Sequence, residues 1–194
     1  MARRNDSRDR MIAAARRLFR EQGYVGTALS DVLDQSAAPR GSLYYYFPGG
    51  KEELAVGVTS DYSADLVSLT DDIARDTDSA ADFVSAFCGY IRDEFATTGY
   101  RRGCAIAPIV IESTPDCEVL SEATREGFVG ILSALAARLT EKGISARQAD
   151  KLASNIIVTI EGALIVSRVL RSPAPFNDAI EALTSTTSSA VAPG

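Results

Sequence analysis

Between Arg40 and Lys51 the chain reads RGSLYYYFPGGK. Three phenols in a row, Tyr44, Tyr45 and Tyr46, follow Arg40-Gly41-Ser42, and Lys51 follows a Pro48-Gly49-Gly50 break. These groups are poorly suited to covalent catalysis but well suited to holding phosphate and sugar. A tyrosine hydroxyl can bond a phosphate oxygen, and its ring can pack on a sugar or a thymine methyl. Consecutive positions on a helix lie about 100° apart, so the three rings cannot all face one core. Leu43 and Phe47 are four apart and share the inward face. That leaves Tyr44 and Tyr45 on the sides and Ser42 and Tyr46 elsewhere around the helix. Gly41 lets another surface approach the backbone closely. Lys51 opens a further helix, and a helix N-terminus with a lysine is a ready phosphate site. The alternative is a solvated Lys51, with Glu52 and Glu53 simply favouring the helix start.

The rest of the chain is short of catalytic equipment. It has no histidine, which removes the commonest general base and the Ser-His and Cys-His nucleophile pairs. The three cysteines, Cys88, Cys104 and Cys117, include no CxxC and form no disulfide framework. They also fall short of the four ligands of a structural zinc site. No catalytic residue, metal or cofactor is expected. Cys104 stands near Arg101 and Arg102, whose charge would lower a thiol pKa. A redox role is therefore an alternative to the usual buried, inert cysteine.

The elements that must position these residues are helical throughout. Residues 8–22 carry Met11, Ile12, Ala15, Leu18 and Phe19 at helical spacing, with arginines opposite and Gly23 as the stop. A second helix is expected behind Thr27 as its N-cap, with Leu29, Val32 and Leu33 inward. A third starts in its first turn at Pro39 and ends at Pro48. Two short helices joined by a tight turn after a longer one form a helix-turn-helix outline, whose last helix enters a DNA major groove. Lys51 to about Asp72 is a linking helix that contains Gly57, read as a packing contact or a hinge. Further helices are expected over ADFVSAFCGYIRDEFATT, the short CAIAPIVIES, and EVLSEATREGFVGILSALAARLTEKG up to Gly143. Another begins behind Ser145 and is apolar nearly all round from Ile156 to Val169. A closing helix is expected over 175–189, with residues 185–194 expected to fray. No strand alternation or fixed-period repeat is present.

The chain has 194 residues, 46% hydrophobic and 24% charged, with a net charge of −6. Residues 1–51 hold nine Lys/Arg against five acids, a balance of +4, which leaves −10 on the remainder. A basic head on an acidic body is the asymmetry expected when only the head meets a polyanion, although a solvated charged helix would look the same. No uninterrupted apolar run reaches the roughly 18 residues of a membrane span. No secretory signal precedes the first helix. The expected location is cytoplasmic, with no membrane partner.

FREQGY (19–24), Thr27 and PRGSLYYYFPGGKEELA (39–55) together resemble the DNA-binding head of the TetR family of bacterial regulators. PGGKEEL and RRGCAIAPIVIES (101–113) resemble its LmrA/YxaF-like branch. The resemblance implies an all-α subunit of about nine helices. It places a helix-turn-helix DNA-binding domain at 6–66 (motif about 29–48) and a ligand-binding and dimerisation domain at 67–194. It also implies a homodimer on a palindromic double-stranded DNA operator, released by a small-molecule effector. Arg40, Gly41, Ser42, Tyr44, Tyr45 and Tyr46 match positions that face DNA, and Thr27 and Lys51 match positions that touch phosphate. Arg4, in the basic N-terminal segment, joins them as a DNA-contact candidate. Two departures stand out: Ala37 where the turn often has Gly, and Tyr46 where His is usual.

Phe87, Tyr90, Ile91, Cys104, Ile106 and Ile109 are candidate walls of an effector pocket, with Glu112 as its polar anchor; each apolar one would equally serve as ordinary core. Ile160, Leu164, Ser167, Phe176 and Ile180 are the candidates for a dimer interface. A repressor released by an apolar or aromatic ligand is the leading expectation. A redox-sensing regulator and a helical carrier or enzyme are the alternatives.

Overall fold

The computed structural model describes the backbone of residues 2–190; the side chains of residues 2–6 and of Arg40 lie outside the described part. Among the described residues there are nine α-helices and no strand. They are α1 (Ala2–Gln22), α2 (Leu29–Ser36), α3 (Leu43–Tyr46), α4 (Lys51–Arg75), α5 (Ala80–Thr97), α6 (Ala107–Ser113), α7 (Glu118–Glu141), α8 (Ala146–Leu170) and α9 (Ala174–Ala190). The chain divides into two compact units. One is Met1–Ser63 with Cys104–Gly127, and the other is Ala64–Gly103 with Phe128–Gly194. Helices α4 and α7 run from one unit into the other.

In the first unit the periodic apolar positions of α1, Met11, Ile12, Ala15, Leu18 and Phe19, are all buried. Val32 of α2, Leu43 and Phe47 of the α3 segment, and Leu54 and Val58 of α4 are buried in the same unit, and α2 packs on α1. Gly23 ends α1 at φ +87°, its N–H donating to the Phe19 carbonyl at 3.1 Å. Thr27 does not cap α2. The N-cap is Ala28, which has no side chain able to cap. Thr27 is only 1% exposed and turns its hydroxyl back to the Gly23 carbonyl at 2.8 Å.

Ala37 takes the left-handed conformation, φ +50°, at the turn where Gly would be free of strain. Arg10 secures that turn by donating to the Ser36 carbonyl at 2.9 Å, one of the orphan acceptors at the end of α2. A 3-10 turn, Arg40–Ser42, precedes α3, so the recognition segment is shorter in α-helix than its sequence suggests. At Gly57 a Cβ would lie 3.2 Å from Ile12 Cδ1 and 3.7 Å from Phe47 Cε1, a close packing contact of α4 on the head.

The segment 104–127, expected in the C-terminal domain, clusters with the head instead. Ile106 and Ile109 are fully buried there, and α6 packs against α1. At Gly127 a Cβ would lie 3.0 Å from the Thr59 methyl, so α7 closes tightly on α4.

The second unit is built on α5, α8 and α9, each packed on the other two. Ser79 caps α5 by accepting from the Asp82 N–H at 3.1 Å. Phe83, Phe87, Phe95 and Phe176 fill the centre, with Phe95 and Phe176 ring centroids 6.4 Å apart. Arg168 of α8 donates to the carbonyls of Tyr100 (3.1 Å) and Arg101 (2.7 Å) and lies over Phe95. It thereby fixes the loop after α5, and burial lowers its pKa. Residues 185–190, expected to fray, are helical, and Thr187 is buried with its hydroxyl on the Leu183 carbonyl.

Two features of α8 bear on the expectations for it. It is long and apolar enough by length and composition to cross a membrane, although no uninterrupted apolar run reaches that length. Its apolarity divides between two faces. Ile156, Ile160, Ala163, Leu164 and Ser167 face inward, with Ile160, Leu164 and Ser167 buried within the single chain, as is Phe176 of α9; Ile180 is half-buried. The outward face is instead Val158, Ile165, Val166, Val169 and Leu170.

Candidate nucleic-acid interface

The short α3 presents what a nucleic acid would meet. Tyr44 is 67% exposed and Tyr45 60%, while Leu43 and Phe47 on the same segment are about 1% exposed. The chain keeps large apolar rings in solvent here although the neighbouring positions are fully used for packing. Tyr45 and Tyr46 stand edge to face, with centroids 5.0 Å apart, which limits their rotamers. Ser42 donates to the Pro39 carbonyl at 2.6 Å, leaving its oxygen lone pairs as acceptors. Gly41 is exposed, and a Cβ there would meet nothing within 4 Å. Neither a positive φ nor internal packing demands glycine at 41. Its bare backbone faces outward beside the tyrosines.

Lys51 lies at the start of α4, where Glu53 caps the break by accepting from the Gly49 N–H at 2.8 Å. The ammonium donates to the Val25 carbonyl at 3.2 Å and sits 4.6 Å from the Tyr24 ring centroid. Burial lowers the Lys51 pKa, and the charge of Glu112 opposes that effect. Burial raises the Tyr24 phenol pKa, with the Glu52 charge adding to it. Lys51 is thus tethered to the α1–α2 turn rather than free. Thr27, expected at phosphate, is occupied inside the same turn. Arg40 keeps its backbone place in the 3-10 turn, but its side chain, like that of Arg4, lies outside the described residues.

Two arginines of α1 are engaged within the head. Arg16 pairs with Asp61 at 2.9 Å and covers Tyr62, and Arg17 donates to Gln35.

The residues expected around an effector fall into different units. Phe87 and Ile91 are buried in the second unit, where Tyr90 is 53% exposed. Cys104, Ile106, Ile109 and Glu112 belong to the first. The Glu112 carboxylate accepts from the Val25 N–H in the turn between α1 and α2. Sequence pattern could not have found that bond, because the partners are 87 positions apart. The second unit also carries an open groove of about 570 Å³ between α5 and α9, lined by Ser85, Arg92, Asn177, Ile180, Glu181 and Thr184.

Residues 11–58 match the family described as bacterial regulatory proteins, tetR family. Residues 80–182 match the C-terminal domain described as transcriptional regulator LmrA/YxaF-like. The chain is 31% identical over 170 residues to the HTH-type transcriptional regulator LmrA of Bacillus subtilis, covering 88% of this chain and 90% of that protein. Its fold is similar to the regulatory protein TetR from Rhodobacter sphaeroides, with a TM-score of 0.81 at 22% identity over 91% of this chain and 96% of that one. It is also similar to reduced NemR of Escherichia coli, with a TM-score of 0.76 at 22% identity over 93% and 97%. A helix-turn-helix head with exposed tyrosines, joined to a helical body that matches along most of its length, makes this chain a DNA-binding transcriptional regulator of the TetR family, in its LmrA/YxaF-like branch, and not an enzyme.

Proposed function

We propose that this regulator is a cytoplasmic homodimeric repressor that grips a palindromic operator with one α3 per subunit and lets go when a small apolar or aromatic molecule enters its helical body. The observation that carries the DNA half of this reading is the pair of exposed rings, Tyr44 and Tyr45, beside an open Gly41. Tyr44, Tyr45 and Tyr46 supply hydroxyl and ring contacts, Ser42 and Gly41 allow close approach, and Lys51 neutralises a phosphate. The dimer half is supported by the outward stripe of α8, Val158, Ile165, Val166 and Val169, which leaves apolar area in water in a lone subunit. Exposed small residues on α9, Ala182, Ser185 and Ser189, would let a partner helix lie close. A ligand that loosens DNA must bind the DNA-free protein better, by linkage.

The test is selection of a bound duplex from a random pool, followed by affinity measurements on Tyr45→Ala and Lys51→Ala. Tyr45→Ala should weaken the selected duplex more than a random one. Lys51→Ala should weaken both alike and lower the salt slope by about one unit for each lysine lost. Unchanged affinity in both variants would remove α3 as the reading head.

A second reading, redox control, draws on Cys104. Its sulfur accepts the N–H groups of Ile106 and Ala107, each at 3.4 Å. Under this reading peroxide releases the selected duplex from the native protein but not from Cys104→Ser; equal release from both removes it.

A further inference from the structure

Glu112 and Lys51 hold the same residue from two sides. The Glu112 carboxylate accepts the Val25 N–H, and the Lys51 ammonium donates to the Val25 carbonyl at 3.2 Å. Val25 itself is exposed, so no packing of its side chain fixes it. Its backbone is the third residue of the turn that joins α1 to α2. From there the chain enters α2, and α2 carries the turn that sets α3.

The site is shaped for the carboxylate. At Gly23 a Cβ would lie 2.5 Å from Glu112 Oε1, and the residue takes φ +87°. The positive φ favours glycine here, and the Glu112 carboxylate reaches into the space that a Cβ would take. Behind it, Thr27 ties the Gly23 carbonyl at 2.8 Å, which leaves the turn one well-defined geometry. Glu112 lies on α6, which packs against α1 within the same unit. Its negative charge also works against the burial that lowers the Lys51 pKa.

We infer that Glu112 is a positioning residue for DNA binding: through the Val25 backbone it fixes the α1–α2 turn and so places the Lys51 ammonium for a phosphate. The inference rests on the proposed phosphate role of Lys51. It differs from a competitive arrangement, in which the carboxylate would stand where a phosphate belongs. A positioning carboxylate strengthens DNA binding, whereas a competing one weakens it, so the sign of the effect separates them.

The experiment uses the full chain and the duplex that the wild type selects. Glu112→Ala, Glu112→Gln, Lys51→Ala and the double variant Lys51→Ala/Glu112→Ala are compared in affinity and salt slope, and the Val25 amide is followed by NMR. Glu112→Ala should weaken binding about fivefold to tenfold, the loss of one charge-assisted bond, and flatten the salt slope as Lys51→Ala does. The double variant should bind no worse than Lys51→Ala alone, because both changes remove one coupled unit. The Val25 amide proton should move upfield in Glu112→Ala and less in Glu112→Gln, which keeps an acceptor. Unchanged binding, tighter binding, or losses that simply add would each overturn the proposal. If Lys51→Ala itself proves silent, the phosphate role fails and the proposal with it; a shifted Val25 amide would then show that the failure lies in the lysine and not in the turn. Should Glu112→Ala not fold, Glu112→Gln carries the same comparisons, with a smaller loss expected.

Discussion

At the scale of single residues, the molecule shows how a polar side chain is assigned by what surrounds it. Cys88 is buried in α5, and burial pushes its thiol up to about 12. Between the ordinary thiol range and that value the unfolded chain loses a proton that the native chain keeps, so stability falls as pH rises through this window. In urea unfolding, wild type should lose about 1–2 kcal/mol more than Cys88→Ala between pH 8 and pH 10. Equal losses would show that the thiol ionises freely in the native state. Gly23 gives a second case. Gly23→Ala should cost about 1–2 kcal/mol, from the positive φ and the nearby carboxylate together. Part of that cost should disappear in a Glu112→Ala background. The same cost in both backgrounds would assign it to the backbone alone.

At the scale of elements, the turn between α2 and α3 and the outer face of α8 each make a testable demand. Ala37 sits at φ +50° where glycine is unstrained, so Ala37→Gly should stabilise the chain by about 0.5–1 kcal/mol in thermal or urea unfolding. A loss would mean that flexibility in the unfolded state outweighs the relieved strain. On α8, Val158, Ile165 and Val169 line one outward face, while Ile160 and Leu164 point into the subunit. Ile165→Glu should therefore separate subunits and leave helix content intact. Leu164→Ala should cost about 2–4 kcal/mol of subunit stability and affect association less. The reverse pattern would return the interface to the inward face.

At the scale of the whole molecule, the proposed dimer sets the form of the operator. Sedimentation should give twice the 20.6 kDa chain mass at micromolar concentration. The selected duplex should contain inverted half-sites whose centres lie about one helical turn or a small multiple apart. A single half-site bound by one chain would contradict both. The charge balance of +4 on the first 51 residues and −10 on the remainder adds a constraint, since an acidic body repels the backbone that its heads approach. A shallow salt slope is the expected consequence, because few phosphates are contacted and salt also screens the repulsion from the acidic body.

What the amino-acid sequence determined by itself was local. Apolar residues three and four apart, with Gly23 and Gly143 as stops, placed the helices, and the 100° step between Tyr44, Tyr45 and Tyr46 forced rings outward. These features depend on neighbours within one or two turns, and such neighbours are visible in a string of letters. The tertiary structure alone decided that Thr27 serves the Gly23 carbonyl and not a helix cap, because both partners lay within reach and only packing chose between them. It alone chose the inward face of α8, since a helix apolar nearly all round has no phase to read. It alone brought residues 104–127 to the head and Glu112 to Val25. Contacts across 87 positions are set by how helices pack, and no periodicity in the chain records them.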